Sequence, residues 1–237
     1  MDRKQLKQLA KQTIRNSRPS ILAAGSIYIV ISTVFSYFED SIYTKNTSSE
    51  LIEKAYYYYE NNMPENLFAV FEKMAPPSYT PLVWVAVGLV LSVLFAGFVI
   101  FLLNTIRKTE PCLGNLLDGF GFVFKIILLN ILEGLFVMLW SLLLIVPGVI
   151  ASYRYKMAIY ILCDDPSKSV MQCIRESSRM MKGHKWEFFV LNLSFLLWYI
   201  GGCLPMVGYL VQLWSFPYIQ TTKAHYYEQL RSCNIIV

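Results

Sequence analysis

Charged residues are scarce in this chain of 237 residues. They make up 16% of the sequence, whereas soluble domains contain about 25%. Apolar residues account for 55% and aromatic residues for 15%, and the mean hydropathy is +0.44. Too few polar side chains are present to cover a soluble surface, so the composition predicts an integral membrane protein.

Residues suited to metal and redox chemistry are also few. The chain has five cysteines with no CxxC spacing, and its two histidines, His184 and His225, lie far apart in sequence. Glycine-rich phosphate loops and the GxSxG and HExxH motifs are missing as well. These absences exclude a recognisable zinc site or hydrolase centre. We therefore expect no metal, no cofactor, no external disulfide and no enzyme activity.

The net charge of +5 reports membrane topology and not nucleic-acid binding, because the basic residues border apolar runs instead of forming a free basic face. Lys and Arg are retained on the cytoplasmic side of membrane helices. The clearest border lies in the stretch Arg175–Trp198. Cations continue in it to Lys185, and no formal charge then occurs from residue 188 to residue 204. That border marks the cytoplasmic start of a membrane helix.

The apolar runs predict an all-α integral membrane bundle of six transmembrane helices with both termini cytoplasmic. A single polytopic domain, residues 1–237, would contain spans at residues 20–38, 81–104, 122–146, 148–163, 187–204 and 206–224. Pro147-Gly148 is predicted to separate the third span from the fourth, which is short for a full crossing. Eighteen of the 21 cations then lie inside, in agreement with the positive-inside rule.

The outer segment, residues 39–80, is predicted to be helical. It carries seven acids against three lysines, and capping signals at Thr47 and Pro64 predict two helices, the second ending at Pro76-Pro77. The first of these helices contains four consecutive tyrosines that form the candidate outer contact, Tyr56, Tyr57, Tyr58 and Tyr59. Two interpretations remain open: an aromatic belt at the membrane interface, or a contact surface for an extracellular partner.

Interfacial amphipathic helices are also predicted on the inner side. The inner segment, residues 164–185, places Val170, Ile174 and Met181 on an apolar face, and the first twenty residues form a second, strongly basic helix. Each cation near an anionic membrane surface contributes about 1 kcal/mol of attraction. The candidate contacts to anionic headgroups are Arg175, Arg179, Lys182 and Lys185.

A candidate polar centre lies between the predicted third and fourth spans. Glu133 falls in the third, and Arg154 and Lys156 fall in the fourth, where each ion costs about 3 kcal/mol unless it is paired or hydrated. Tyr153 and Tyr155 flank Arg154 and supply hydroxyl groups that could hold a phosphate or a carboxylate. We expect Arg154 or Lys156 to interact with Glu133. The centre is either a packing salt bridge or part of a transport pathway.

Several short motifs in the second half of the chain carry a family resemblance. They are Pro147-Gly148, Tyr153-Arg154-Tyr155, Asp165-Pro166, the run from Met181 to Trp186, and Pro217-Tyr218. With these motifs the chain resembles the domain-of-unknown-function 975 family of bacterial polytopic membrane proteins. The resemblance implies a multi-helix fold in the bacterial cytoplasmic (inner) membrane, and it implies no activity.

Two function hypotheses follow from these features. The first is a non-catalytic membrane factor that binds lipid, an envelope peptide or a larger membrane complex. The alternative is a small transporter that uses the polar centre at Glu133, Arg154 and Lys156. Membrane lipids with anionic headgroups on the cytoplasmic side are the expected partners, nucleic acid is not expected, and the sequence leaves the oligomeric state open.

Overall fold

The chain is all-helical in the parts that the structure describes. The computed structural model describes residues 3–46, 49–75, 78–204 and 207–235, and no strand occurs in these ranges. The helices are α1 Arg3–Asn16, α2 Ile21–Asn46, α3 Ser49–Glu60, α4 Pro64–Met74, α5 Thr80–Arg107, α6 Asn115–Asp118, α7 Val123–Leu143, α8 Ile145–Tyr155, α9 Ala158–Asp164, α10 Val170–Met180, α11 Lys185–Leu193, α12 Leu196–Gly202 and α13 Val207–Ile235. A short 3-10 helix, Gly119–Phe122, joins α6 to α7. The predicted all-α class is confirmed.

Three helical segments are long and apolar enough to cross a membrane. They are Ile21–Phe38, Thr80–Arg107 and Asn115–Leu143, and they overlap the first three predicted spans. At 1.5 Å per residue the first, with 18 residues, measures about 27 Å and the other two exceed 40 Å, against a hydrocarbon core of about 30 Å. These segments are those of a membrane protein.

The other predicted spans do not coincide with single long apolar helices. Residues 148–163 fall on α8 and α9, and residues 187–204 fall on α11 and α12; each of these four helices has 7 to 11 residues. Residues 207–224 lie in α13, which also carries Gln212, Gln220 and Lys223, whereas Met206, the predicted start of that span, lies outside the described residues. Apolar runs in the sequence therefore do not map one to one onto helices.

The chain divides into two compact units. The first comprises Met1–Ile29 and Ser92–Val237, and the second comprises Val30–Leu91. The second unit contains the α3–α4 hairpin, with α4 beginning at Pro64 as predicted. The other capping signals predicted for this segment, Thr47 and Pro76-Pro77, lie outside the described residues.

Aromatic stacking and a close helix contact join α2, α5 and α13 in the first unit. The ring of Tyr28 stacks on that of Phe216 with centroids 4.9 Å apart, and Phe98 stacks on Phe216 at 5.4 Å. Gly25 faces Pro217 so closely that an added Cβ would lie 3.1 Å from the proline Cβ. Small residues permit such close approach of membrane helices, where packing supplies much of the association energy.

Helix α1 packs on α13 through one apolar face. Leu6, Ala10 and Ile14 are buried at a spacing of four residues, and Thr13 hydrogen-bonds to His225 over 2.9 Å. The side chain of Leu9, which the sequence also offers at helical spacing, stays exposed. The predicted N-terminal helix therefore exists, and its apolar face packs against protein.

The break between α7 and α8 lies earlier than predicted. The sequence places it at Pro147-Gly148, whereas α7 ends at Leu143 and the extended residue is Leu144, with φ −163° and ψ 149°. Pro147 instead sits in the first turn of α8, where a missing N–H group costs no intrahelical hydrogen bond. Gly148 packs against α7 with the Cα of Ser141 only 2.9 Å from where a Cβ would be. Pro147 and Gly148 therefore lie in the first turn of α8, and the missing side chain of Gly148 allows α8 to pack closely on α7.

The inner amphipathic segment forms α10, and its apolar face packs on the bundle. The helix begins at Val170 because Ser169 and Gln172 form a reciprocal capping box. Cys173 and Ile174 are buried with Val170, and α10 contacts α7, α8, α9 and α13. Its opposite face is left with exposed cations.

Candidate functional site

Three arginines line one cavity where α8 meets α10. Arg154 comes from the last turn of α8, and Arg175 and Arg179 lie four residues apart on α10. The cavity, which we call the arginine pocket, has a volume of about 370 Å³ and is completed by Tyr155, Ile174 and Ser178. The structure thus brings one member of the predicted polar centre together with two of the predicted lipid-contact residues.

The arginines of this pocket are not neutralised by acids. Arg154 donates from Nε to the Ser178 hydroxyl over 2.5 Å, and its guanidinium lies 5.7 Å from the Tyr155 ring centroid. Among the described residues, no carboxylate forms an ion pair with any of the three arginines. Guanidinium groups bind phosphates and carboxylates through paired N–H donors. The pocket is therefore suited chemically to an anion.

A buried serine holds the helix that carries Arg154. The hydroxyl of Ser177 donates to the backbone carbonyl of Arg154 over 2.9 Å and accepts from the backbone N–H of Met157 over 3.2 Å. These two backbone groups flank the break between α8 and α9, where helical hydrogen bonds are lost. Ser177 is fully buried, so α10 orients the arginine-bearing turn through a satisfied polar contact.

The two other predicted lipid-contact residues lie outside the arginine pocket. Lys182 is exposed just beyond the end of α10, and Lys185 is partly exposed at the start of α11. Trp186 beside them is exposed and stacks on Phe189 with centroids 5.2 Å apart. These residues form a basic and aromatic border that follows the pocket in sequence.

The structure separates the other members of the predicted polar centre. Glu133 and Lys156 border a different cavity of about 220 Å³, and Lys156 is the cation whose charge acts on Glu133. Arg154 does not line that cavity, since residues two apart on a helix point about 200° apart. Of the two expected partners of Glu133, Lys156 therefore shares its cavity and Arg154 does not.

The tyrosines next to Arg154 have separate environments. Tyr153 packs edge-on against Phe188 and Phe189, with both centroid distances 5.9 Å. Tyr155 is buried, borders the arginine pocket and contacts the ring of Phe136 at 5.8 Å. Only Tyr155 remains beside Arg154 in the way that the sequence suggested.

The four consecutive tyrosines lie on α3 in the second unit. Tyr56, Tyr57 and Tyr59 are exposed, and the ring of Tyr57 meets that of Tyr58 edge-on at 5.6 Å. Exposure is compatible with both an interfacial belt and a contact surface. The outer contact therefore stays a prediction.

Sequence reasoning missed an ion network at one end of the bundle. Arg107 of α5 donates from Nε to Glu228 over 2.8 Å and pairs with Asp164 at the end of α9. Asp164 also accepts from the Tyr227 hydroxyl over 2.9 Å and lies 3.3 Å from Arg231. The only sequence signal was the position of Arg107 and Asp164 at the ends of apolar runs.

The charge of Asp164 is stabilised by this network. Burial by itself would raise the pKa of the carboxyl, but the hydrogen bonds from Arg107 and Tyr227 and the charge of Arg231 lower the pKa below its usual value. Three helices, α5, α9 and α13, are thus joined at this end by an ionised group that is 11% exposed. The role of this network is therefore structural.

The described residues contain no cluster that resembles a metal centre. No group of three or more His, Cys, Asp and Glu side chains in these ranges has a geometry that could hold an ion. The chemistry available at the two cavities is that of arginine, lysine, glutamate, amide and hydroxyl groups.

Comparison with known proteins gives a family assignment for the second half of the chain. No curated protein and no solved structure matched the chain. The model of one family, described as Protein of unknown function (DUF975), matches residues 142–234, which include the whole arginine pocket and exclude Glu133. The resemblance predicted from the motifs is confirmed over residues 142–234, where the sequence matches the DUF975 family.

Proposed function

We propose that this protein is a non-catalytic integral membrane factor that binds the anionic headgroup of a phospholipid in its arginine pocket. One observation carries the proposal: Arg154, Arg175 and Arg179 share a cavity without a neutralising acid among the described residues. Three like charges repel one another unless an anion lies among them. A lipid phosphate satisfies that requirement because its oxygens accept the paired guanidinium donors.

The surroundings of the pocket support a lipid as the source of the phosphate. The apolar face of α10 packs on α7, α8, α9 and α13, so its basic face is directed away from the bundle. Lys182, Lys185 and the exposed Trp186 follow in sequence, and such residues favour the headgroup region of a bilayer. A lipid bound there would place its phosphate among the arginines.

The proposal includes the membrane topology that the charges favour. We infer six crossings of the bacterial inner membrane with both termini cytoplasmic, in which α8–α9 and α11–α12 form broken or partial crossings. Support comes from the distribution of Lys and Arg, since eighteen of 21 fall on the inner side in this arrangement. The arginine pocket then faces the leaflet that carries the attractive negative surface potential.

Cysteine labelling tests this topology with the native thiols. Variants that retain only Cys112 or only Cys203, both exposed in the structure, are treated in intact cells with a membrane-impermeant maleimide. We expect Cys203 to react from outside and Cys112 to react only after the cells are opened. External labelling of Cys112 would contradict the proposed orientation.

The lipid-binding proposal predicts a selective loss of affinity in the double variant Arg175→Gln/Arg179→Gln. Hydrogen bonds to charged groups contribute about 1.5–3 kcal/mol each, and 1.4 kcal/mol corresponds to a factor of ten. We expect phosphatidylglycerol to bind at least about tenfold more weakly to this variant. The measurement is titration of the purified full-length protein in detergent with bound lipid counted by native mass spectrometry.

A matched control removes the same charge nearby. Lys182→Gln/Lys185→Gln takes away two cations that do not line the pocket, so it should weaken binding much less. Phosphatidylcholine serves as the zwitterionic comparison and inorganic phosphate as the soluble one. Equal losses in the two double variants, or equal binding of both lipids, would contradict the pocket. Displacement of the lipid by an equal concentration of inorganic phosphate would show that the ligand is not a lipid.

One observation favours the alternative function of a small transporter. Glu133 and Lys156 border a polar cavity that is lined by two of the helices long enough to cross a membrane, α5 and α7. Arg154 has no part in this cavity. Binding of a solute there is the first requirement of the alternative, and its absence would contradict a transport role.

A further inference from the structure

A polar cavity lies among α5, α7, α9 and α13 in the first unit. Its volume is about 220 Å³, and besides apolar groups it is lined by Ser92, Asn130, Glu133, Lys156, Gln220 and Lys223. Sites for drug-sized ligands occupy about 300–1,000 Å³, so this cavity suits a smaller molecule. At about 30 Å³ per water, it has room for about seven non-hydrogen atoms.

The position of the cavity makes its charges expensive. Glu133 is the eleventh of the 21 residues of α7, about 15 Å from the start of that helix, and Ser92 lies near the middle of α5. Both helices belong to candidate membrane spans. A charged side chain at the centre of a spanning helix is unfavourable unless it is paired or hydrated. Charges retained at such a depth are a mark of ligand and ion pathways.

The three ions do not neutralise one another. Lys156 attracts Glu133 but repels Lys223, and when all three groups are ionised the set carries one excess positive charge. A monovalent anion in the cavity would neutralise the set. A carboxylate fits this requirement because each ammonium group can donate to its oxygens.

The carboxylate of Glu133 adds a second requirement. Its Oε1 atom is buried, and no described residue donates a hydrogen bond to it. Leaving a buried charged acceptor without a donor is more costly than leaving a neutral one without a donor. A ligand that neutralises the lysines and donates to Glu133 therefore matches the cavity better than a simple anion.

We propose that this cavity binds a small carboxylate that carries an adjacent hydroxyl or amino group. The ligand carboxylate interacts with Lys156 and Lys223, and the neighbouring O–H or N–H group donates to Glu133. The amides of Asn130 and Gln220 supply further donors and acceptors on the cavity wall. This site is independent of the arginine pocket, shares no lining residue with it and takes a soluble ligand instead of a lipid.

Equilibrium dialysis with three radiolabelled probes tests the proposal. The purified full-length protein is placed in nanodiscs of phosphatidylcholine alone, so the result does not depend on anionic lipid. The probes are L-lactate, with a hydroxyl donor, L-alanine, with an amino donor, and acetate, which has neither. We expect lactate or alanine to bind saturably and acetate to bind at least about tenfold more weakly, because acetate leaves Glu133 unpaired.

Two substitutions in the cavity and one matched control assign the binding to this site. Lys223→Met should reduce binding of the preferred probe at least about tenfold, whereas Lys182→Met, an exposed lysine outside the cavity, should leave it unchanged. Glu133→Gln should reduce the difference in affinity between the preferred probe and acetate. If Lys223→Met does not fold, as judged by circular dichroism, the comparison of probes on Glu133→Gln decides.

Three results would overturn the proposal. They are the absence of saturable binding of lactate and alanine to folded wild-type protein, equal affinity for acetate, and wild-type affinity in a folded Lys223→Met variant. The first would mean that the cavity holds water in a polar seam. Failure of the lipid experiment would leave this result untouched, since the two sites share no lining residue and the two tests use different ligands.

Discussion

Replacing Arg107 with methionine is expected to lower the free energy of unfolding by about 3 kcal/mol, because it leaves Asp164 and Glu228 without their main counter-charge. Removing one partner of a buried ion pair costs about 3–5 kcal/mol, and the lower end applies because Arg107 is 27% and Glu228 23% exposed. Unfolding of the purified protein by denaturant measures the change.

The neighbouring lysine provides the control for this substitution. Lys108→Met removes one positive charge next to Arg107 but none of the ion pairs of the network, and the side chain of Lys108 is exposed. We expect a change below about 0.5 kcal/mol, as for most surface substitutions. Equal destabilisation by Arg107→Met and Lys108→Met would show that the network does not hold the three helices together.

The pH dependence of stability gives this prediction a second readout. The pKa of Asp164 is lowered in the folded protein, so its contribution is complete above the unfolded value of about 4 and is lost as the pH falls through the lowered folded pKa. The wild-type protein should therefore lose stability on acidification in that window. In Arg107→Met the folded pKa moves back up, and the loss in that window should be smaller.

Leucine at position 148 is expected to disrupt the α7–α8 hairpin. A Cβ at Gly148 would lie 2.9 Å from both the Cα and the Cβ of Ser141, and the α7 backbone cannot move as a flexible side chain does. Overpacking costs about 1–3 kcal/mol where neighbours adapt, and we expect at least the upper end here. The free energy of unfolding and the yield of inserted protein measure the effect.

Two further leucine variants separate the steric effect from the identity of the residue. Gly134 lies on α7 with no atom within 4 Å of an added Cβ, so Gly134→Leu should be tolerated. Pro147→Leu should also be mild, because α7 already ends at Leu143 and the proline stands in the first turn of α8. If Gly148→Leu were as stable as Gly134→Leu, close packing at Gly148 would not be required. If Pro147→Leu joined α7 and α8 into one helix, the proline would be the break after all.

The two cavities differ in position and in the ligand that their lining residues suit. The arginine pocket lies where α8 meets α10 and is suited to a phosphate, whereas the polar cavity lies among α5, α7, α9 and α13 and is suited to a small carboxylate. Arg154 and Lys156, two residues apart, contribute to different cavities. Substitutions at these neighbouring positions should consequently have different phenotypes.

The sequence by itself determined the all-helical class of this protein, its long apolar segments and the family resemblance of residues 142–234. Those properties depend on composition, on runs of apolar residues and on local capping signals such as Pro64, all of which act over a few neighbouring residues. It also identified Glu133, Arg154, Lys156, Arg175 and Arg179 as the residues to examine, since a charge in or beside an apolar run is costly wherever the run packs.

Only the tertiary structure decided which of these residues meet. Arg154 joins Arg175 and Arg179 because α10 packs back on the end of α8, and Lys156 turns to Glu133 because the helix rotates and breaks between α8 and α9. Asp164 meets Arg107 and Arg231 across 57 and 67 positions of sequence, and Gly148 is needed only because Ser141 lies against it. Such contacts depend on helix rotation and close packing between distant segments, and a local pattern of residues carries no information about either.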